Sequence, residues 1–304
     1  MLLVRLSYQG GTMTSTLARE QRSDRVAPSL LVGAAGIVLA SGVLSTLPAT
    51  TPGRIAVGVA ATAGLIVLAA LAGLGRRLRP AREGLLVFAA LSVFGWASAA
   101  VTAVPAVDHL LRTAPVPVAF LLANALKLTA VLPLLALARR RPGVREAWLL
   151  RAGNPRAGTG IPHLSWPVAG PVVIVVVLAL FLTALPASAF GHLGAAVRWL
   201  PVLLLGPLVN AVCEELLYRH AAIGATRAVL GTVPAVVLTS VVFGLGHLTG
   251  NPGGLAGVLY TTGYGAVCAA AMLRTRGACW NVPIHVAGDF AIVLTLFLGG
   301  LRAV

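Results

Sequence analysis

Eight ionisable residues stand inside apolar stretches of this 304-residue chain: Lys127, Glu214, Glu215, Arg219, His220, His247, His285 and Asp289. Seven of them lie in the last 91 residues. An ionisable group at the centre of a membrane-spanning helix costs about 2.5–3.5 kcal/mol on insertion scales, so such groups are few and usually do work there. In an α-helix, Glu215 and Arg219 (i, i+4) share a face and can pair. Glu214 is turned about 100° away, toward a different neighbour. One glutamate can therefore serve as an ion-pair partner while the other stays available. Phe243 with His247 and His285 with Asp289 repeat the i, i+4 spacing. A glutamate and two histidines meeting inside a membrane form a set suited to hydrolysis. The carboxylate can act as general base toward water. A histidine can orient that water, donate to an oxyanion or bind a metal. By residue type, Glu214, His247, His285 and Asp289 are also acceptable zinc ligands.

Each residue has a plainer reading beside the chemical one. Glu215–Arg219 reads first as a structural ion pair, because a buried arginine must be paired. A glutamate or histidine alone in a membrane helix is interhelical glue. Asp289 can simply pair with His285. Lys127 can pair with an acid of the C-terminal half or line a cavity, and His220 has no assigned role. Phe243 reads as a packing residue that shapes a pocket. His109, His163 and His192 fall in loops or at span ends, where solvent accounts for them. Cys213, Cys268 and Cys279 form no disulfide framework and no CxxC metal pattern, and read as small membrane-helix residues.

The elements that must position these residues are legible from composition. The chain is 58% hydrophobic and 10% charged, with a mean hydropathy of +0.92. Soluble domains are about half apolar and a quarter charged. This balance belongs to an all-α polytopic integral membrane protein. Nine apolar runs approach the ~20-residue spanning length: 29–49, 55–75, 84–106, 115–138, 166–187, 200–226, 230–249, 253–273 and 282–301. About nine transmembrane helices are expected, with the working core in the last four. A polar cytoplasmic tail covers 1–28, with Met13 a second candidate start. A scaffold of four helices covers 29–138. A basic cytoplasmic loop covers 139–165, in which Trp148, Leu149 and Leu150 can rest on the membrane surface. The remaining helices cover 166–304. The glycines of "GNPGG" (250–254) and "GYG" (263–265) favour a bent loop or close helix packing.

The net charge of +15 raises the question of nucleic acid. The arginines, however, sit in short loops between apolar runs, and no basic face carries interleaved aromatics. With the N-terminus inside and the sides alternating, seventeen bases fall on inner segments and four on outer ones. The positive-inside rule then places the N-terminus in the cytoplasm and the C-terminus outside. Glu214 stands 13 residues before Arg227, and His247 stands 15 residues after Thr232. At 1.5 Å per residue both lie ~20 Å deep, with His285 and Asp289 at ~6–20 Å.

These residues make the chain resemble the CAAX-protease and bacteriocin-processing (CPBP, or Abi) intramembrane proteases, whose pattern is EExxxR, FxxxH and HxxxN or HxxxD. Here the three parts read "EELLYR" (214–219), "FGLGH" (243–247) and "HVAGD" (285–289), in order and on separate runs within about 200–301. The resemblance implies an intramembrane endopeptidase. In it, Glu214 and His247 activate water, His285 and Asp289 face the oxyanion or the water, and Arg219 neutralises Glu215. It implies a glutamate-type or metallo-endopeptidase, with zinc the candidate metal. The expected partners are the bilayer and a membrane-associated, lipidated or leader-like peptide, in the cytoplasmic membrane of a bacterium. Two departures stand out. His220 follows Arg219 where many members have glycine, and Asp289 replaces an asparagine that could donate to an oxyanion. Readings from other classes are a transporter or channel with an intramembrane proton or ion relay, and a non-catalytic peptide-binding immunity factor. Against transport, no motif repeats within residues 1–199, whereas transporters often carry internal repeats.

Overall fold

The computed structural model describes residues 26–40, 50–129, 131, 132, 134, 136, 151–248 and 250–300. The expected tail up to residue 25 and the stretch 137–150, with Trp148, Leu149 and Leu150, lie outside the described residues. Among the described residues the chain is helical, without strands. Each of the nine apolar runs holds a helix. They are α1 (Val26–Ala40), α2 (Thr51–Leu74), α3 (Arg82–Thr102) and, after a short α4 (Pro105–Thr113), α5 (Val116–Ala125). Then come α6 (Trp166–Leu182) and α7 (Leu193–Glu214), which continues through a π-helix (Glu215–Ile223) into α8 (Gly224–Leu230). Last are α9 (Thr232–Leu245), α10 (Gly254–Thr275) and α11 (Asn281–Gly300).

Five helical stretches among the described residues are long and apolar enough to cross a bilayer; the helices in the runs at 29–49, 115–138, 166–187 and 230–249 are shorter than that. The longest stretch, Ala187–Leu230, has 44 residues. At 1.5 Å per residue it runs ~66 Å, about twice the ~30 Å hydrocarbon core. Its N-terminal half carries Arg198 and two internal prolines, Pro201 and Pro207.

Three departures from the sequence expectation bear on the site. The run at 115–138 is not one continuous span: α5 ends at Ala125, and Lys127 sits in the following turn, bonded through its N–H to the Asn124 carbonyl at 3.0 Å. α9 ends at Leu245, so His247 lies in a turn beyond it, where Gly246 and Gly250 weaken helix continuation. The Glu–Glu motif lies at the junction of α7 and a π-helix, whose i→i+5 hydrogen bonds change the face each side chain occupies.

Packing explains how the helices converge. α7 packs on α5 and α11, α11 on α6 and α10, and α9 on α10, while the π-helix touches α3, α9 and α10. One apolar core joins α1–α3 to Leu216, Leu217, Ala221 and Ala222 of the π-helix. The N-terminal helices thus pack against the segment that carries the motif. A second core joins Leu203 of α7 to Val293, Phe297 and Leu298 of α11. Helix approach is closest where side chains vanish. A Cβ on Gly288 of α11 would lie 2.7 Å from the Tyr264 hydroxyl, and one on Gly265 of α10 would lie 3.1 Å from the Arg219 guanidinium. The second contact shows the close packing that "GYG" leads one to expect. Outward faces keep bare apolar side chains such as Val172, Val175, Val176 and Leu180 of α6, as lipid contact requires.

Candidate active site

The side chains meet where α7, the π-helix, α10 and α11 converge beside the turn after α5. α7 supplies Asn210 and Glu214, the π-helix Glu215 and Arg219, and α11 Asn281, His285 and Asp289. All seven are buried. His285 is the hub. Its Nδ1 lies 2.7 Å from Glu215 Oε1, and its Nε2 lies 3.2 Å from Glu214 Oε2. An ionised carboxylate only accepts hydrogen bonds. With both glutamates ionised, both contacts are made only if both ring nitrogens carry hydrogen. The cluster then holds three anions (Glu214, Glu215, Asp289) and three cations (Lys127, Arg219, His285). Such a buried group is tolerable because its charges balance in pairs.

Glu215 has more partners than an ion pair requires. Arg219 Nε stands 3.4 Å from its Oε1, and the Asn281 amide donates to its Oε2 at 2.7 Å. Arg219 lies over the Phe243 ring at 4.1 Å, a cation–π contact. Its two terminal nitrogens are buried without a hydrogen-bond acceptor. The aromatic face therefore accounts for part of what neutralises this arginine.

Glu214 is not left unengaged on its own face. Lys127 Nζ donates to its Oε1 at 2.5 Å and also to the side-chain Oδ1 of Asn210. Asn210 in turn donates to Asp289 Oδ2 at 2.7 Å. The Asp289 oxygen lies 3.8 Å from His285 Nε2, beyond hydrogen-bond reach. Asp289 is thus held as an acceptor by an amide, and the Lys127–Asn210–Asp289 chain runs beside the Lys127–Glu214–His285–Glu215 chain. The separation of duties expected from an α-helical offset gives way here: both glutamates reach His285, because the helix widens at the motif.

His247 stands apart from this bonded cluster. It is half-buried and within electrostatic range of Glu214. Its Nδ1 lies 3.0 Å from the Phe243 carbonyl oxygen. That oxygen only accepts, so the bond places a hydrogen on Nδ1, and in the neutral ring the Nε2 lone pair is left for another donor. Phe243 walls the site, its ring centroid 4.8 Å from His247 and 5.8 Å from His285. Tyr264 closes the other side at 5.8 Å from His285, its hydroxyl donating to the Ile284 carbonyl at 2.5 Å. His220 lies buried in the π-helix outside this set, and His109, His163 and His192 are exposed.

Donor chemistry bears on the metal question. Among the described residues, the group whose ligand atoms all fall within 4.8 Å of one another is Glu215, Cys268 and His285. Of the four sequence-derived candidates, Glu214, His247, His285 and Asp289, one belongs to it. A hydrolytic zinc needs three ligands and an open position for water. Here the Glu215 oxygens already accept from His285 and Asn281, a guanidinium stands beside them, and Glu215 and Cys268 are 0% exposed. The set fits a closed packing cluster better than a hydrolytic metal centre.

Sequence reasoning passed over Asn210, Asn281 and Tyr264, read Cys268 as a small membrane-helix residue, and gave Lys127 a minor place. A signal was present for the two asparagines. Asn210 precedes Glu214 by four residues and Asn281 precedes His285 by four, each on one helical face. A search confined to ionisable groups does not register an amide.

Comparison with known proteins bears on the same segment. Residues 196–291 match the family model described as type II CAAX prenyl endopeptidase Rce1-like. The match covers about a third of the chain, begins in α7, ends in α11 and contains all three motifs. No curated protein and no solved structure matches the chain.

Proposed function

We propose that this chain, whose residues 196–291 match the type II CAAX prenyl endopeptidase Rce1-like family model, cleaves a peptide bond in a membrane-associated, lipidated peptide by an activated water. The reading is carried by one observation: a family motif residue, His285, is clamped between the two adjacent glutamates of another. In the proposed reaction, water sits between Glu214 and the Nε2 lone pair of His247. A carboxylate has about four lone-pair positions, and Glu214 uses two on Lys127 and His285. As the water oxygen bonds to the scissile carbonyl carbon, its proton passes to Glu214, with His247 orienting it. His285, held as a donor by Glu215, swings its Nε2–H toward the carbonyl oxygen as charge develops there. The C–N bond then breaks and the proton on Glu214 goes to the leaving amine. Asp289 and Asn210 hold their side of the pocket without donating to the oxyanion. No metal takes part in this scheme.

The test uses the full chain in proteoliposomes with a fluorogenic prenylated peptide. Glu214→Gln and His247→Ala are each expected to lower kcat by at least about 100-fold, the scale of a lost general base, with the unfolding midpoint of His247→Ala unchanged. Wild-type rates in both variants, or ion flux without cleavage, would overturn the proposal.

A further inference from the structure

At the end of α8 and α10 lies a basic cavity that the proposed reaction does not use. It measures about 740 Å³ and is lined by Arg151, Arg227, Arg274 and Arg276 together with Val233, Val236, Val237 and Leu273. None of its described lining residues is acidic. Arg151, Arg274 and Arg276 bring three positive charges to the same space, and Arg forks match phosphate oxygens two at a time.

The arginines are placed by structure. The segment carrying Arg151 is fastened to the turn between α10 and α11. The Ala278 N–H donates to the Arg151 carbonyl at 3.0 Å, Cys279 N–H to Ala152 at 2.9 Å, and Asn154 N–H donates to Thr275 at 2.8 Å. The Trp280 indole adds a bond to Pro155 at 2.8 Å. Gly153 makes the approach feasible: its φ is +79°, and a Cβ there would lie 2.6 Å from the Thr275 carbonyl oxygen. Arg274 packs on Gly160, where a Cβ would sit 2.4 Å from its guanidinium. Arg276 ends α10 in the left-handed conformation, at φ +56°.

The other half of the cavity is apolar and opens outward. Val233, Val236 and Val237 share one face of α9 through their i, i+3, i+4 spacing. Val233 is 72% and Val237 56% exposed. On a helix that packs in a membrane bundle, such a face meets acyl chains. Basic pockets between transmembrane helices at the interface bind anionic lipid headgroups. A free phosphate would leave the valines without a partner. A zwitterionic headgroup would bring an ammonium into a wall with no acidic side chain among its described residues. We propose that this cavity is a binding site for an anionic phospholipid, its phosphate among the arginines and an acyl chain along α9. The proposal does not depend on the peptidase reading.

The test compares full-length protein in nanodiscs of phosphatidylcholine alone and with added phosphatidylglycerol, by native mass spectrometry and thermal unfolding. Wild type is expected to retain phosphatidylglycerol and to unfold at a higher temperature with it. Arg274→Gln/Arg276→Gln should weaken retention on the order of thirty-fold, from the usual contribution of a basic residue near anionic lipid, with its midpoint in phosphatidylcholine unchanged. Should the double variant lose its fold, Arg276→Gln alone, at an exposed position, must weaken retention by about fivefold. Equal retention of phosphatidylcholine, equal retention of phosphatidylglycerol by a folded variant, or the same stabilisation from millimolar inorganic phosphate overturns the proposal.

Discussion

Lys127→Met tests whether the N-terminal half holds the site in register. Lys127 belongs to the turn after α5, yet its ammonium contacts Glu214 and Asn210 of α7. The Lys127 and Glu214 side chains are 11% and 10% exposed, so water replaces little of what the substitution removes. Removing one member of a buried ion pair typically costs about 3–5 kcal/mol, because the other charge is left without its partner. Glu214 would keep His285 at 3.2 Å, which places the expected loss near the lower figure, about 3 kcal/mol. Removing both charges should cost less than the sum. In Lys127→Met/Glu214→Gln the coupling should reach about 1–3 kcal/mol, the range for directly bonded neighbours. Unfolding titrations of the four proteins in the same detergent measure this cycle. In the cleavage assay Lys127→Met, acting through Glu214, should lower kcat up to about 100-fold, as misplacement of a reacting group does, and leave KM in place. If the two single variants add up to the double within about 0.5 kcal/mol, the pair contributes nothing and the reasoning fails.

Three further outcomes follow from individual contacts. Gly288→Ala should destabilise by about 1–3 kcal/mol, the usual cost of overpacking, because its methyl would meet the Tyr264 hydroxyl at 2.7 Å. Adding Tyr264→Phe, which removes that oxygen, should restore part of the loss in a thermal unfolding assay. Asp289→Asn should keep most cleavage, since an amide oxygen can accept the Asn210 bond as the carboxylate does, while Asp289→Leu should lose it; equal rates in the two variants would sink the acceptor role. Prolonged chelation with a zinc-binding reagent should leave the cleavage rate within about twofold of the untreated enzyme, whereas loss of activity that returns on adding zinc would show that the closed Glu215–Cys268–His285 group opens to a metal.

Much of the architecture was legible because burial in lipid constrains composition strongly. Every apolar run contains a helix, and Glu214, Glu215, Arg219, His285 and Asp289 of the family pattern meet in one cluster, with Phe243 beside it and His247 apart. Two kinds of feature were hidden. Helix interruptions such as the turn at Lys127 and the early end of α9 occur within continuous apolar sequence, so hydropathy runs on while the backbone turns. The π-helix is a second case. An α-helical wheel separates Glu214 from Glu215 by about 100° and assigns them different neighbours. The wider hydrogen-bonding pattern brings both to one imidazole.

That convergence changes what the adjacent glutamates accomplish. A lone intramembrane glutamate beside a histidine could share one proton in several arrangements. Two carboxylates on opposite nitrogens of the same ring fix the ring plane and, when both are ionised, require a hydrogen at each end. Glu215 is further fixed by Asn281 and Arg219, so it cannot yield. Glu214 is held by Lys127 and His285, with the half-buried His247 within electrostatic range. Of the two glutamates, Glu214 alone can exchange a partner for water without stranding a buried arginine. The asymmetry comes from Arg219 and Lys127: a guanidinium packed under Phe243 cannot follow a moving carboxylate, whereas a flexible lysine stem can. The proposed division between a working Glu214 and a clamping Glu215 therefore rests on which cation each one faces.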